Sequence, residues 1–253
     1  MALLVGNLLY LLIVAPPTWS LYASGTSGVP QRDDSFEPHK RSMGYILSLY
    51  HPLALSTVLT AGVEPVVQAA IAHSGQVTES LAAFAVCVSI VWLARTNLWN
   101  TQQVVIARVK GIASYRAVRR FVMTLGLGTT AFMSVGLIPA VGEAVFGDLV
   151  GLEGEVKQFA RHGYAILLIV PYLQGWRSLS YGTLVALGDT SSIRTAAFVR
   201  IAVLATVLGA GVVHGGWAGI YVATVANLLG EISEVGALQI SVRQALRAAP
   251  VDA

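Results

Sequence analysis

The chain has 253 residues, of which 55% are hydrophobic and only 11% charged, whereas a soluble domain carries about 25% charged residues. With a mean hydropathy of +0.68, it reads as an integral membrane protein and not as a soluble domain. The isoelectric point near 9.1 raises a nucleic-acid partner, but the basic residues stand at the ends of apolar segments instead of covering one polar face, so none is expected. The single cysteine, Cys87, lies in an apolar run and cannot form an intrachain disulfide.

A bilayer core about 30 Å thick is crossed by about 20 apolar residues in a helix. Seven stretches qualify, near 2–23, 46–72, 80–106, 121–142, 162–187, 195–213 and 217–240, which predicts an all-α polytopic protein. The first, "MALLVGNLLYLLIVAPPTWSLYASG", has no basic n-region. Its cleavage as a signal peptide would place Arg32, Lys40 and Arg41 outside, so it reads better as a retained span, expected in a chain that begins partway through a larger membrane protein. Residues 24–45 form a polar, Gly/Ser/Pro-containing linker. The expected organisation is an appended helix at 1–23, a cytoplasmic linker at 24–45, a six-helix bundle at 46–243 and a cytoplasmic tail at 244–253.

Positive charge alternates between the loops. Arg32, Lys40 and Arg41 follow the first span, Arg108, Lys110, Arg116, Arg119 and Arg120 the third, Arg194 the fifth, and Arg243 and Arg247 the seventh. The remaining loops are poor in Lys and Arg, so the positive-inside rule predicts an outside N-terminus and a cytoplasmic C-terminus; the expected location is the plasma (inner) membrane. The basic loop from Arg108 to Arg120 sets topology, with contact to anionic lipid headgroups as a second use.

Charges inside a span are costly and normally face protein or a water-filled cavity. In the second span Glu64 and Gln68 share one helix face, and Pro65 frees a backbone carbonyl near residue 61, which suggests a bent, hydrated cavity wall. The competing reading is an outer-leaflet glutamate beside a packing kink. The third span carries Arg95, Asn97, Asn100, Gln102 and Gln103, where the amides suit interhelical packing and Arg95 needs an acidic partner or an anionic ligand. Pro171, Gln174, Arg177 and Tyr181 share a face of the fifth span. Asn227, Glu231 and Glu234, spaced four and three, line one stripe of the last. Arg177 is expected to pair with Glu231 or Glu234, either as a structural tie or as a switchable pair. In the short turn "LGDTSSIR", Asp189 or Ser191 suits a helix cap.

The segments "HPLALSTVLTAGVEPVVQAAIAHSG", "ESLAAFAVCVSIVWLARTNLWNTQQVVIARVKG", "YRAVRRF", "GWRSLSYGTLVALGDTSSIR" and "GWAGIYVATVANLLGE" carry a family likeness. In this order they resemble the second half of a transporter of the multidrug and toxin extrusion (MATE) and flippase superfamily, in particular its progressive ankylosis branch. The more specific pieces are Pro-Leu-Ala-Leu at 52–55, the pair Arg177 and Gly182, and Gly230 with Glu231, within a resemblance that covers about residues 45 to 243. It implies two six-helix bundles around a central cavity, alternating access, and efflux of small molecules or flipping of lipid-linked saccharides. The ankylosis branch is associated with small polyanions such as pyrophosphate. A second six-helix bundle, as a missing half, a separate subunit or a second copy, is the implied partner, alongside membrane lipids and a small-molecule substrate.

The cavity residues expected from these arguments are Glu64, Gln68, Arg95, Asn100, Gln103, Arg177, Asn227, Glu231 and Glu234, with kinks at Pro65 and Pro171. His39, His51, His73, His162 and His214 lack metal-ligand spacing, and no Gly-Lys-Ser/Thr loop cradles phosphate, so no metal, no cofactor and no ATP-driven step is expected. A membrane enzyme would gather its His, Asp and Glu at one depth, which these acids do not, and no catalytic role is expected. A scaffold or degenerate fragment without transport is the remaining alternative.

Overall fold

A computed structural model of the chain describes residues 43–109 and 112–248. The predicted span at 2–23, the linker up to residue 42 and the last five residues of the tail lie outside the described residues. The chain divides into two compact units, residues 1–46 and 47–253, and the packed bundle belongs to the second.

Helices and turns account for nearly every described residue, and no strand occurs among them. The order is α1 (Met43–Ala61), α2 (Val63–Ala72), α3 (Val77–Arg108), α4 (Ile112–Ser134), a 3₁₀ turn (Val135–Leu137), α5 (Pro139–Gly142), a π-helical turn (Glu143–Leu149), α6 (Gly154–Leu167), α7 (Val170–Leu187), α8 (Thr190–His214) and α9 (Gly219–Ala248). The protein is all-α.

Proline sets two of the breaks. It lacks an N–H and crowds the carbonyl four residues before it; α1 ends at Ala61, four before Pro65, and α6 ends at Leu167, four before Pro171. Gly62 itself stays near-helical (φ −71°, ψ −14°), so the first break is a bend rather than a loop. A third proline shortens the predicted span at 121–142: Pro139 pushes Ile138 to an extended conformation (φ −62°, ψ 128°), as the residue before a proline prefers. The stretch expected as a loop at 143–158 is instead mostly helical, through the π-helical turn and the start of α6.

Four helices are long and apolar enough to cross a membrane: Tyr50–Ala72, Val77–Arg108, Ile112–Leu137 and Thr190–His214. The other two expected spans, 162–187 and 217–240, are helical as α6–α7 and α9. They fall short in apolarity because they carry Gln174 and Arg177, and Asn227, Glu231 and Glu234. Burial offsets that polarity, for α7 packs against α3, α4, α8 and α9 and hides both Gln174 and Arg177.

Close backbone approach holds α7 to α3. A Cβ on Gly182 would stand 2.6 Å from Val105 Cβ and 2.9 Å from the Gln102 carbonyl oxygen, distances that only a glycine tolerates. Phe84, Cys87, Val91, Leu167 and Ile220 fill the main core. In the same core, the rings of Phe146 and Tyr164 meet edge-on at 5.5 Å, and Tyr164 donates its hydroxyl to the Met133 carbonyl at 2.5 Å.

The turn from α7 to α8 is the tightest connection. Gly188 takes the left-handed conformation (φ 80°), and the Asp189 N–H returns to the Leu184 carbonyl at 2.9 Å, the six-to-one bond of a Schellman stop. Asp189 then caps α8, accepting from the Ser192 N–H at 3.3 Å and its hydroxyl at 2.6 Å, which selects it over Ser191 as the cap. Burial raises the Asp189 carboxyl, and the bonds from Ser192 and Ser191 outweigh it, so its pKa lies below the ordinary aspartate value.

Candidate functional site, a buried charge cluster

Four helices bring five charged side chains together in the interior. Arg95 comes from α3, Arg177 from α7, Arg200 from α8, and Glu231 and Glu234 from α9. The spacing of three residues on α9 places both carboxylates on one face, and both are fully buried. Arg177 Nε donates to Glu234 Oε1 at 3.0 Å. Arg200 Nη1 donates to Glu234 Oε2 at 3.0 Å. Arg200 Nη2 stands 3.0 Å from Glu231 Oε1, and Arg95 Nη2 stands 3.1 Å from the same atom.

The two carboxylates are held differently. Glu234 has one aligned guanidinium on each oxygen. Glu231 Oε1 sits between two guanidinium groups without the alignment of a hydrogen bond, and its Oε2 has no partner. Glu231 is therefore held by charge and keeps spare acceptor capacity, as the Nε of Arg200 keeps a spare donor.

Amides surround the cluster. Arg95 donates from Nε and Nη2 to Gln174 Oε1 at 3.1 and 2.5 Å, and Gln174 Nε2 donates onward to the Ser178 hydroxyl at 3.0 Å. Arg200 Nη2 reaches Asn227 Oδ1 at 3.5 Å. Arg177 lies 5.2 Å from the Tyr181 ring centre, within cation–π range. A small cavity of about 30 Å³ lies beside Arg95 and Asn227, closed by Val91, Trp92 and Leu167; it has room for a water molecule.

Burial makes this arrangement costly. Each charge taken out of water loses several kcal/mol of hydration, roughly, which only good pairing recovers. Three guanidinium groups face two carboxylates, so the cluster has an excess of one positive charge.

Of the sequence-predicted residues, Arg95, Arg177, Asn227, Glu231 and Glu234 meet here. Gln174, expected on the face of Arg177, joins them, and the carboxylate that Arg177 bonds is Glu234. Glu64, Gln68, Asn100 and Gln103 do not belong to the cluster, because all four side chains are exposed. Glu64 and Gln68 do share a face, with Gln68 Nε2 3.4 Å from Glu64 Oε1, but α2 turns Val63, Val67 and Ile71 inward instead. Arg200 went unforeseen. It stands in "AAFVRIAV" within one of the apolar spans, and the rule that singled out Arg95 applies to it equally.

Among the described residues no three His, Cys, Asp or Glu side chains gather as a metal ion would need. Compared with known proteins, the chain matches no family model, no curated protein and no solved structure.

Proposed function

We propose that the chain forms one helical bundle of a secondary active membrane exporter, which moves a small organic or phosphate-type anion by alternating access together with a second bundle. The observation that carries this reading is the charge imbalance of Arg95, Arg177 and Arg200 against Glu231 and Glu234. A network that served only to tie helices together is cheapest when neutral, and an unmatched buried cation is expensive in a membrane protein. An anion relieves the excess. Protonating Glu231 or Glu234 enlarges it, which favours an anion over a proton as the species that binds.

The cluster also has the slack that switching requires. Glu231 and Arg200 each keep an unused polar atom, so the guanidinium groups can exchange partners as occupancy changes and bias the bundle between two arrangements. Nothing covalent is required of these residues, and the activity is transport rather than a chemical reaction.

The test is anion flux into proteoliposomes that hold the chain with its partner bundle. Pyrophosphate, phosphate and a small organic anion serve as probes, with membrane abundance measured in parallel. Arg95→Gln makes the cluster neutral, two cations to two anions, and is expected to insert normally while losing flux. Undiminished flux in that variant, or no flux of any of these anions in the wild type, defeats the reading.

A further inference from the structure

Away from the charge cluster, α3, α4 and the 135–146 segment enclose a cleft of about 830 Å³. Its walls are mainly apolar, interrupted by Asn97, Thr124 and Thr129, and its lining includes Leu93 and Phe132, which are 72% and 80% exposed. Both long helices that flank it are apolar enough to cross a membrane, so it opens sideways at the level of acyl chains.

One end of this cleft is polar. A second cavity of about 430 Å³ shares Gly136, Phe146 and Tyr164 with the first, and it is lined by Lys157, Arg161 and His162 of α6. Lys157 and Arg161 lie one helical turn apart on the same face. Lys157 is matched by Glu143 at 2.7 Å, whereas Arg161 enters none of the ion pairs among the described residues. The end of the apolar cleft thus carries net positive charge.

An apolar trough that runs into a cationic pocket is complementary to an amphiphile with a long tail and an anionic head. We infer that the two adjoining cavities form a binding site for an anionic glycerophospholipid, its acyl chain along α3 and α4 and its phosphate at Lys157 and Arg161. A second copy of the chain or another apolar helix could cover the trough but would leave the two cations Lys157 and Arg161 in excess over the one carboxylate of Glu143. The lipid satisfies both parts. This site is separate from the charge cluster and does not rest on the transport reading.

Gly128 supplies the decisive variant. It lines the cleft, and a Cβ there meets nothing within 4 Å, so Gly128→Phe fills the trough without straining the helix. The full chain is extracted in mild detergent from membranes with equal parts phosphatidylglycerol and phosphatidylcholine of the same tails, and retained lipid is weighed by native mass spectrometry. The wild type is expected to keep phosphatidylglycerol with a preference on the order of fivefold, the factor that one surface cation supplies. Gly128→Phe is expected to lose both lipids, and Arg161→Gln to keep lipid but lose the preference. Added inorganic phosphate should not displace the lipid, since the tail holds it. The inference is overturned if the wild type keeps neither lipid or both equally, if Gly128→Phe changes nothing, or if phosphate alone displaces the lipid. A lipid-free wild-type oligomer that Gly128→Phe splits would overturn it too and assign the trough to a second copy.

Discussion

Arg200 Nη1 donates to Glu234 Oε2 at 3.0 Å while its Nη2 stands 3.0 Å from Glu231, so one guanidinium of α8 spans both acids of α9. The remaining two arginines each reach one acid, Arg177 at Glu234 and Arg95 at Glu231. Removing a carboxylate and removing an arginine are therefore unequal perturbations.

Glu234→Gln leaves three guanidinium groups facing Glu231 alone, and breaking a buried pair in this direction costs about 3–5 kcal/mol. Arg177→Gln leaves two cations against two anions, with Glu234 still bonded by Arg200, and should cost clearly less. The double variant restores the original excess of one and should recover part of the Glu234→Gln loss, with a coupling of about 0.5–3 kcal/mol. Thermal unfolding in detergent of the three variants ranks them. Equal losses in both single variants would contradict the asymmetric network.

Gly182→Ala should destabilise the bundle although alanine favours helix. Its Cβ would meet Val105 at 2.6 Å, and overpacking of this kind costs about 1–3 kcal/mol. A Gly182→Ala/Val105→Ala double variant relieves the clash and should regain stability relative to Gly182→Ala alone. Unfolding temperatures of the single and double variants check this directly.

Asp189 links stability to acid pH. Its folded pKa is depressed, so its contribution is present above the unfolded aspartate value and is lost as pH falls through the folded value. Asp189→Ala should cost about 1 kcal/mol at neutral pH, as lost helix caps do. The gap to wild type should close as pH drops through the acidic range, while Asp189→Asn, which still accepts a hydrogen bond, stays close to wild type at neutral pH. A gap that persists unchanged at low pH would rule out the ionised cap as its source.

Cysteine chemistry can test the expected topology. Cys87 is the sole cysteine, fully buried, with its thiol directed at the Ala160 carbonyl at 2.9 Å, so it should stay silent to an impermeant thiol reagent. Asp148→Cys should react on intact cells and Arg247→Cys only after permeabilisation, if the charge pattern sets orientation. Labelling of Arg247→Cys on intact cells would invert the assignment.

The sequence by itself determined the all-α class and the apolar character of the spans. Each of these depends on one segment and its solvent: an apolar run needs a helix in lipid, and a proline can end that helix four residues earlier, although Pro52 lies inside α1. The bends follow from Pro65 and Pro171 at an offset of four, and the stripe of Asn227, Glu231 and Glu234 follows from helical spacing. Tertiary structure alone decided which face of each helix turns inward. Glu64 and Asn100 are expected in the cavity along with Arg95, yet both are exposed, because the rotation of a helix about its axis is set by the sum of its packing contacts. Pairing was equally out of reach. Arg177 and Glu234 are 57 residues apart and Arg200 and Glu234 are 34 apart, and no local rule selects Glu234 over Glu231 until α7, α8 and α9 have packed around it.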